Sequence, residues 1–213
     1  MKRVMVHVVR FPRGLYAIAD GSSGRPPLAL IAAFLEGGAA VVQLRLKDAG
    51  ARELLNIARQ ARALCAGRAL FLVNDRPDVA KLAGADGVHL GQDDLPVSAA
   101  REILGPGKWV GLSTHADAEI DLARGAGADY LGFGPVFATQ TKATPLPPPH
   151  GLEGLARAVR RAGALPVVAI GGITAANVRE VARTGAHCAA AIGELSRAAD
   201  PAAAARAFAE AFR

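Results

Sequence analysis

Residues 70–90, LFLVNDRPDVAKLAGADGVHL, hold one complete unit of the fold. A short apolar run at 70–73 reads as a strand, a helix-compatible segment follows around 79–82, and a second apolar run at 87–90 starts the next unit. Between helix and strand stands Gly84-Ala85-Asp86, the pattern of a glycine just past a helix C-terminus with the chain turning into the next strand. The tripeptide returns as Gly127-Ala128-Asp129 and, altered, as Gly185-Ala186-His187, each time ahead of an apolar run. It marks structural repetition, not chemistry.

Working outward, the same alternation predicts strands at 15–19, 40–44, 70–73, 87–90, 109–112, 130–133, 167–170 and 189–192. Helical segments fall around 28–36, 51–65, 79–82, 97–104, 116–124, 152–161 and 175–183, and a closing amphipathic stretch at 201–212 begins with Pro201, suited to a first helical turn. Eight strand–helix units of parallel type predict an α/β fold closed as a single (β/α)8 TIM barrel. An open doubly wound sheet has fewer strands as a rule and a glycine-rich first turn. After the first strand this chain offers only Asp20-Gly21-Ser22-Ser23-Gly24, which does not fit that turn. The 213 residues suit one domain spanning 1–213, with a short amino-terminal extension at 1–14 and a proline-rich loop at 143–150 expected beside the active site.

Composition narrows the function classes. One Trp, two Tyr and seven Phe leave little aromatic material for stacking on bases, which argues against a nucleic-acid reader. The net charge of +6 is compatible with anionic ligands, nucleic acid or merely a soluble basic surface, and the arginines are scattered and form no binding tail. Cys65 and Cys188 are the only cysteines, far apart and in no metal-ligand or redox spacing, and read as small buried hydrophobes. The amino end has basic residues and an apolar run interrupted by His7, without a small-residue cleavage site, and no stretch reaches the length of a membrane span. A cytoplasmic enzyme acting on small molecules, with no nucleic acid or membrane partner, is the expectation; a homo-oligomer is compatible with it.

In such a barrel the chemistry belongs at the carboxyl ends of the strands. Period-two alternation through Gln43-Leu44-Arg45-Leu46-Lys47 sends Gln43, Arg45 and Lys47 to one side, and two cations pointing into a barrel mouth would be costly without an anion. An edge strand with its odd positions in water is the competing reading. Asn74-Asp75-Arg76 ends the third strand and the fourth leads to Asp93 and Asp94, so Asp75 and one of that acidic pair reach the same rim. Two carboxylates beside a cationic site suit Mg²⁺, which keeps waters and completes its shell with substrate phosphate, although aspartates also cap helices. Ser113, without a triad context, reads as a hydrogen-bonding partner, while His115 is either an acid/base or a helix cap. Thr139, Thr141 and Lys142 after the sixth strand offer two hydroxyls and an ammonium to a phosphate, or form an ordinary polar turn. The glycine-bearing loops Gly171-Gly172 and Ile192-Gly193 stand where such barrels cradle a phosphate.

Taken in this order, Gln43-Leu44-Arg45-Leu46-Lys47, Asn74-Asp75-Arg76, Gly87-Val88-His89-Leu90-Gly91-Gln92, Thr139-Gln140-Thr141-Lys142 and Gly171-Gly172-Ile173 resemble the thiamine phosphate synthase family over nearly the whole barrel. The resemblance implies that Gln43, Arg45, Lys47, Asn74, Ser113 and Lys142 hold hydroxymethylpyrimidine diphosphate, with Arg45, Lys47, Ser113 and Lys142 as the catalytic set. It implies Asp75 and Asp94 as Mg²⁺ ligands. Thr139 and Thr141, with backbone groups of Gly172, Ile192 and Gly193, would hold the phosphate of a thiazole substrate. The implied reaction joins the two heterocycles through a pyrimidine carbocation and releases diphosphate. Two positions depart from the family pattern: Leu46 stands where a glutamate is usual, and Gly193 where a serine is usual. The competing functions are a thiazole tautomerase working through His115 and a non-catalytic regulatory barrel that binds thiamine-related phosphates.

Overall fold

In a computed structural model, which describes residues 10–139 and 147–213, eight parallel strands close into a barrel in chain order. They are β1 (Gly14–Asp20), β2 (Val41–Arg45), β3 (Leu70–Asn74), β4 (Gly87–Leu90), β5 (Trp109–Thr114), β6 (Tyr130–Phe133), β7 (Val167–Ile170) and β8 (Cys188–Ala191), and β8 pairs back onto β1. Around them lie α1 (Pro27–Glu36), α2 (Ala51–Cys65), α3 (Pro77–Ala83), α4 (Val97–Leu104), α5 (Asp117–Gly125), α6 (Gly151–Ala162), α7 (Val178–Arg183), the short α8 (Gly193–Ser196) and α9 (Pro201–Glu210). The predicted barrel is therefore the observed one.

Most element boundaries fall within one or two residues of the sequence expectation, and three departures have local reasons. β5 continues two residues further, to Thr114, whose hydroxyl donates to the Gly132 carbonyl of β6 at 3.1 Å. α7 starts only at Val178, because Asn177 Oδ1 accepts the Thr174 N–H at 2.8 Å and Asn177 Nδ2 donates to the Gly172 carbonyl at 3.1 Å, holding residues 172–177 in a turn. The four-residue α8 was not foreseen at all; it fits between β8 and α9 without an apolar period of its own.

Side chains of successive strand residues separate into two cores. Leu15, Ala17, Val42, Leu44, Phe71, Val73, Val88 and Leu90 point outward and pack against Leu30, Phe34, Leu54, Ala58, Leu155 and Phe208 of the helices. Tyr16, Ile18, Val41, Leu72, Tyr130, Val168, Cys188, Ala190 and Ile192 fill the barrel itself. Phe11, in the segment before β1, closes the amino end: its ring stacks on Tyr130 with centroids 4.5 Å apart and meets Trp109 edge-on at 5.4 Å. Cys188 Sγ donates to the Pro12 carbonyl at 3.2 Å, and burial pushes both the Cys65 and Cys188 thiols up to about 12, so both behave as packed hydrophobes.

The repeated tripeptide has a structural use at that amino end. Gly84 and Gly127 take positive φ (68° and 79°) and turn the chain out of a helix, and the aspartate two residues on captures the first free N–H of the preceding strand. Asp86 Oδ2 accepts from Phe71 N at 2.8 Å and Asp129 Oδ2 from Val110 N at 2.7 Å. Each aspartate also meets an arginine, Arg62 at 3.4 Å and Arg101 at 2.5 Å. Among the described residues no helix is long and apolar enough to cross a membrane.

Candidate functional site

At the opposite end, β2 delivers Gln43 and Arg45 inward as alternation requires; Gln43 is 2% exposed. The strand ends at Arg45, so alternation no longer governs Lys47, which lies in an exposed turn. Its Nζ nevertheless reaches Asp75 Oδ2 at 3.5 Å. Leu46, at the position where a glutamate is usual, packs half-buried against the strand–helix core and takes no place in the mouth. Among the described residues Arg45 and the Asn74 side chain have no hydrogen-bond or ionic partner.

Asp75 sits at the apex of a tight turn in which Arg76 N donates to the Asn74 carbonyl at 2.8 Å, and Asp75 N donates to the His89 carbonyl at 2.9 Å. Its φ of 61° is a left-handed conformation, a strain of about 1–3 kcal/mol that β3 and β4 impose together. The turn brings its carboxyl within hydrogen-bonding reach of Asp94, whose Oδ2 is held by Gly91 N at 2.6 Å. Burial pushes the Asp75 carboxyl above its ordinary 3.8, Asp94 adds to this, and Lys47 opposes it. Arg76 turns away to pair with Asp78 at 2.6 Å. Among the described residues no group of three or more His, Cys, Asp or Glu side chains forms a metal cage. Two half-buried carboxylates in contact are nonetheless a donor set for a hard cation that retains water, since that cation would relieve their mutual repulsion.

Beneath this rim runs a line of polar side chains. Gln43 Nε2 donates to Tyr16 Oη at 2.8 Å, and Tyr16 Oη lies 3.0 Å from Tyr130 Oη. Tyr130 Oη is 2.9 Å from His89 Nδ1, and His89 Nε2 is 3.0 Å from Ser113 Oγ. Burial raises both phenols above their usual range, so both keep their protons. Gly111 makes the line possible: a Cβ there would lie 2.0 Å from the Tyr130 ring. Gln92 Nε2 donates to the Ser113 carbonyl and fixes the β4–β5 rim. The sequence reading named Gln43 and Ser113 but gave Tyr16, His89 and Tyr130 no role. Their shared inward parity was the available signal.

His115 Nδ1 lies 3.2 Å from Glu119 Oε2, which also accepts the His115 N–H at 2.6 Å. The histidine thus precedes α5 held by Glu119 and does not cap it: the N-cap position is Ala116, with no side-chain cap bond. Across the mouth, Val136 N and Phe137 N donate to the Ile170 and Gly171 carbonyls, both at 2.9 Å, and tie the segment leading to Thr139 onto the end of β7. Gly172 is packed beneath Phe137 and Ala138, while Ile192 and Gly193 open α8. Where a serine side chain would rise from Gly193, the Arg197 guanidinium lies instead, 2.1 Å from that Cβ position. Thr141 and Lys142, with 143–146 of the proline-rich loop, lie outside the described residues; residues 147–150 lead as coil into α6.

Residues 15–195 match the family model described as thiamine monophosphate synthase. Similar curated proteins include the thiamine-phosphate synthase of Anaeromyxobacter dehalogenans, 53% identical over 90% of this chain and 84% of that protein. That of Myxococcus xanthus is 47% identical over 89% and 87%. The solved structure of thiamine phosphate pyrophosphorylase from Pyrococcus furiosus superposes with a TM-score of 0.85 at 39% identity, over 93% of this chain and 95% of that one.

Proposed function

The chain belongs to the thiamine monophosphate synthase family and is a transferase of that type, and from this premise we propose that its barrel mouth couples hydroxymethylpyrimidine diphosphate to a thiazole phosphate. The observation that carries the reading is the pair Asp75 and Asp94, two half-buried like charges brought together beside Lys47 and a partnerless Arg45. A fold gains nothing from that arrangement unless a cation and an anion arrive together.

Asp75 and Asp94 would hold Mg²⁺, which when bound would supply positive charge against that developing on the diphosphate. Arg45 and Lys47 stabilise the same oxygens from the β2 side, and Lys142 is assigned to them by resemblance. The carbon–oxygen bond of the pyrimidine methylene breaks with its electron pair leaving on diphosphate, and the electron-rich aminopyrimidine carries the resulting cation. The thiazole ring nitrogen then donates its lone pair to that carbon, giving thiamine phosphate. No protein nucleophile takes part, so orientation is the main task of the remaining groups. Gln43, Asn74 and Ser113 orient the first substrate. Thr139 and Thr141, with the backbone of Gly172, Ile192 and Gly193, hold the second by its phosphate.

The test is a coupled assay on the purified protein with both substrates, with and without Mg²⁺, following diphosphate and thiamine phosphate. Equal amounts of both products, lost on chelation, are expected. Isomerised thiazole phosphate without coupling, or binding without turnover, overturns the reading.

A further inference from the structure

The line from Gln43 to Ser113 has a direction, and the direction follows from burial. Tyr16 is 2% exposed and Tyr130 is fully buried, so each phenol proton must go to a neighbour within the line. Gln43 Nε2 already donates to Tyr16, which directs the Tyr16 proton to Tyr130 and the Tyr130 proton to His89 Nδ1. His89 is then the tautomer protonated on Nε2, and it donates to Ser113 Oγ. Ser113, having accepted from below, keeps its own proton for the mouth. Gln43, with its nitrogen turned inward, keeps Oε1, which takes no bond from any described residue.

We infer that these five residues form a polarity wire, buried at Gln43 and the two phenols, in which Tyr16, Tyr130 and His89 act as positioning residues, making Gln43 an acceptor and Ser113 a donor toward the same substrate. Reversing either end requires the Gln43 amide to flip, both phenols to rotate and the imidazole to change tautomer, so the two ends are coupled. The wire specifies the ligand chemistry at the mouth: a donor such as an exocyclic amine against Gln43, and an acceptor such as a ring nitrogen or diphosphate oxygen against Ser113. This last step rests on the reading of the mouth as a pyrimidine diphosphate site; the direction of the wire does not.

Two measurements test it. Long-range ¹⁵N correlation spectra of the ligand-free protein, with His89 assigned by its loss in His89→Gln, should show Nδ1 as an unprotonated acceptor and Nε2 as protonated. Tyr130→Phe, which removes the hydroxyl and keeps the ring, should shift the Nδ1 signal. A His89 protonated on Nδ1 overturns the wire, whatever the protein's activity.

The second measurement is a set of dissociation constants for hydroxymethylpyrimidine diphosphate with Gln43→Ala, Ser113→Ala and the double variant, in the wild-type and Tyr130→Phe backgrounds. In the wild type the double loss should differ from the product of the single losses by threefold or more, and in Tyr130→Phe it should equal that product. Multiplicative losses in both backgrounds overturn the coupling. If circular dichroism shows that Tyr130→Phe does not fold, Tyr16→Phe cuts the same line one link earlier. Absence of pyrimidine diphosphate binding in the wild type defeats the reading of the mouth, and the tautomer measurement still decides the wire.

Discussion

At the amino end of the barrel Asp86 and Asp129 each hold a strand N–H and an arginine, whereas at the carboxyl end Arg45 has no partner among the described residues and Asp75 faces Asp94. Both ends use the same residue types, aspartate and arginine, in and around the strands and helices of one barrel. At the amino end each carboxylate accepts from a backbone donor and a cation, so ordering it stabilises the fold. At the carboxyl end the fold bears a left-handed aspartate and a repelling pair, a local cost that Lys47 opposes from one side. The difference separates stability from function along one axis of the molecule, and substitutions at the two ends should therefore fail in opposite ways.

The largest effect is expected from Arg45→Ala. Removing a preorganised charge from developing transition-state charge should lower kcat/KM by about 10²–10³-fold. Because Arg45 has no protein partner among the described residues, the melting temperature should stay within about 1 °C of wild type by the usual size of surface substitutions. Diphosphate release and calorimetry on the same preparation measure both; a large loss of stability would break the comparison.

Asp129→Ala should do the reverse. It strips the Val110 N–H of its acceptor and Arg101 of its ion-pair partner, a loss of about 2–3 kcal/mol. For a domain of this size that lowers the melting temperature by roughly 5–10 °C. Turnover at 25 °C should change less than about twofold, as expected for a site remote from the chemistry.

The smallest and most diagnostic effect is that of Asp75→Asn on the cation-free protein. The Asp75 carboxyl is raised in the folded state, so its contribution to stability is complete below the ordinary value of 3.8 and is lost as pH rises through the raised value. At neutral pH the ionised group is a standing cost. Asp75→Asn should therefore raise the melting temperature at pH 7 in the absence of divalent cations, leave it unchanged near pH 3, and abolish any stabilisation by added Mg²⁺. A lower melting temperature at pH 7 would mean that the ion pair with Lys47 outweighs the repulsion.

Much of the architecture was legible because the strands carry short apolar runs and the GAD tripeptides punctuate them. The inward parity of Gln43 and Arg45 was legible for the same reason, and Lys47 was not, since parity ends where β2 ends. The five-residue wire was hidden for a different reason. Tyr16, Gln43, His89, Ser113 and Tyr130 are spread over 115 positions from first to last, and only strand pairing in the closed barrel brings their tips into contact. Arg197 above Gly193 escaped likewise, because α8 has no periodic signal.

By itself the sequence determined the eightfold alternation, the two faces of each strand and the residue types at every strand end, since these depend on local periodicity and on side-chain chemistry. The tertiary structure alone decided which of those ends meet. It set Asp75 against Asp94, gave the repeated aspartates to strand N–H groups, and joined Gln43 to Ser113 through two buried phenols and a half-buried imidazole. Such contacts depend on register and closure between strands distant in the chain, and those arise only when the whole barrel is assembled.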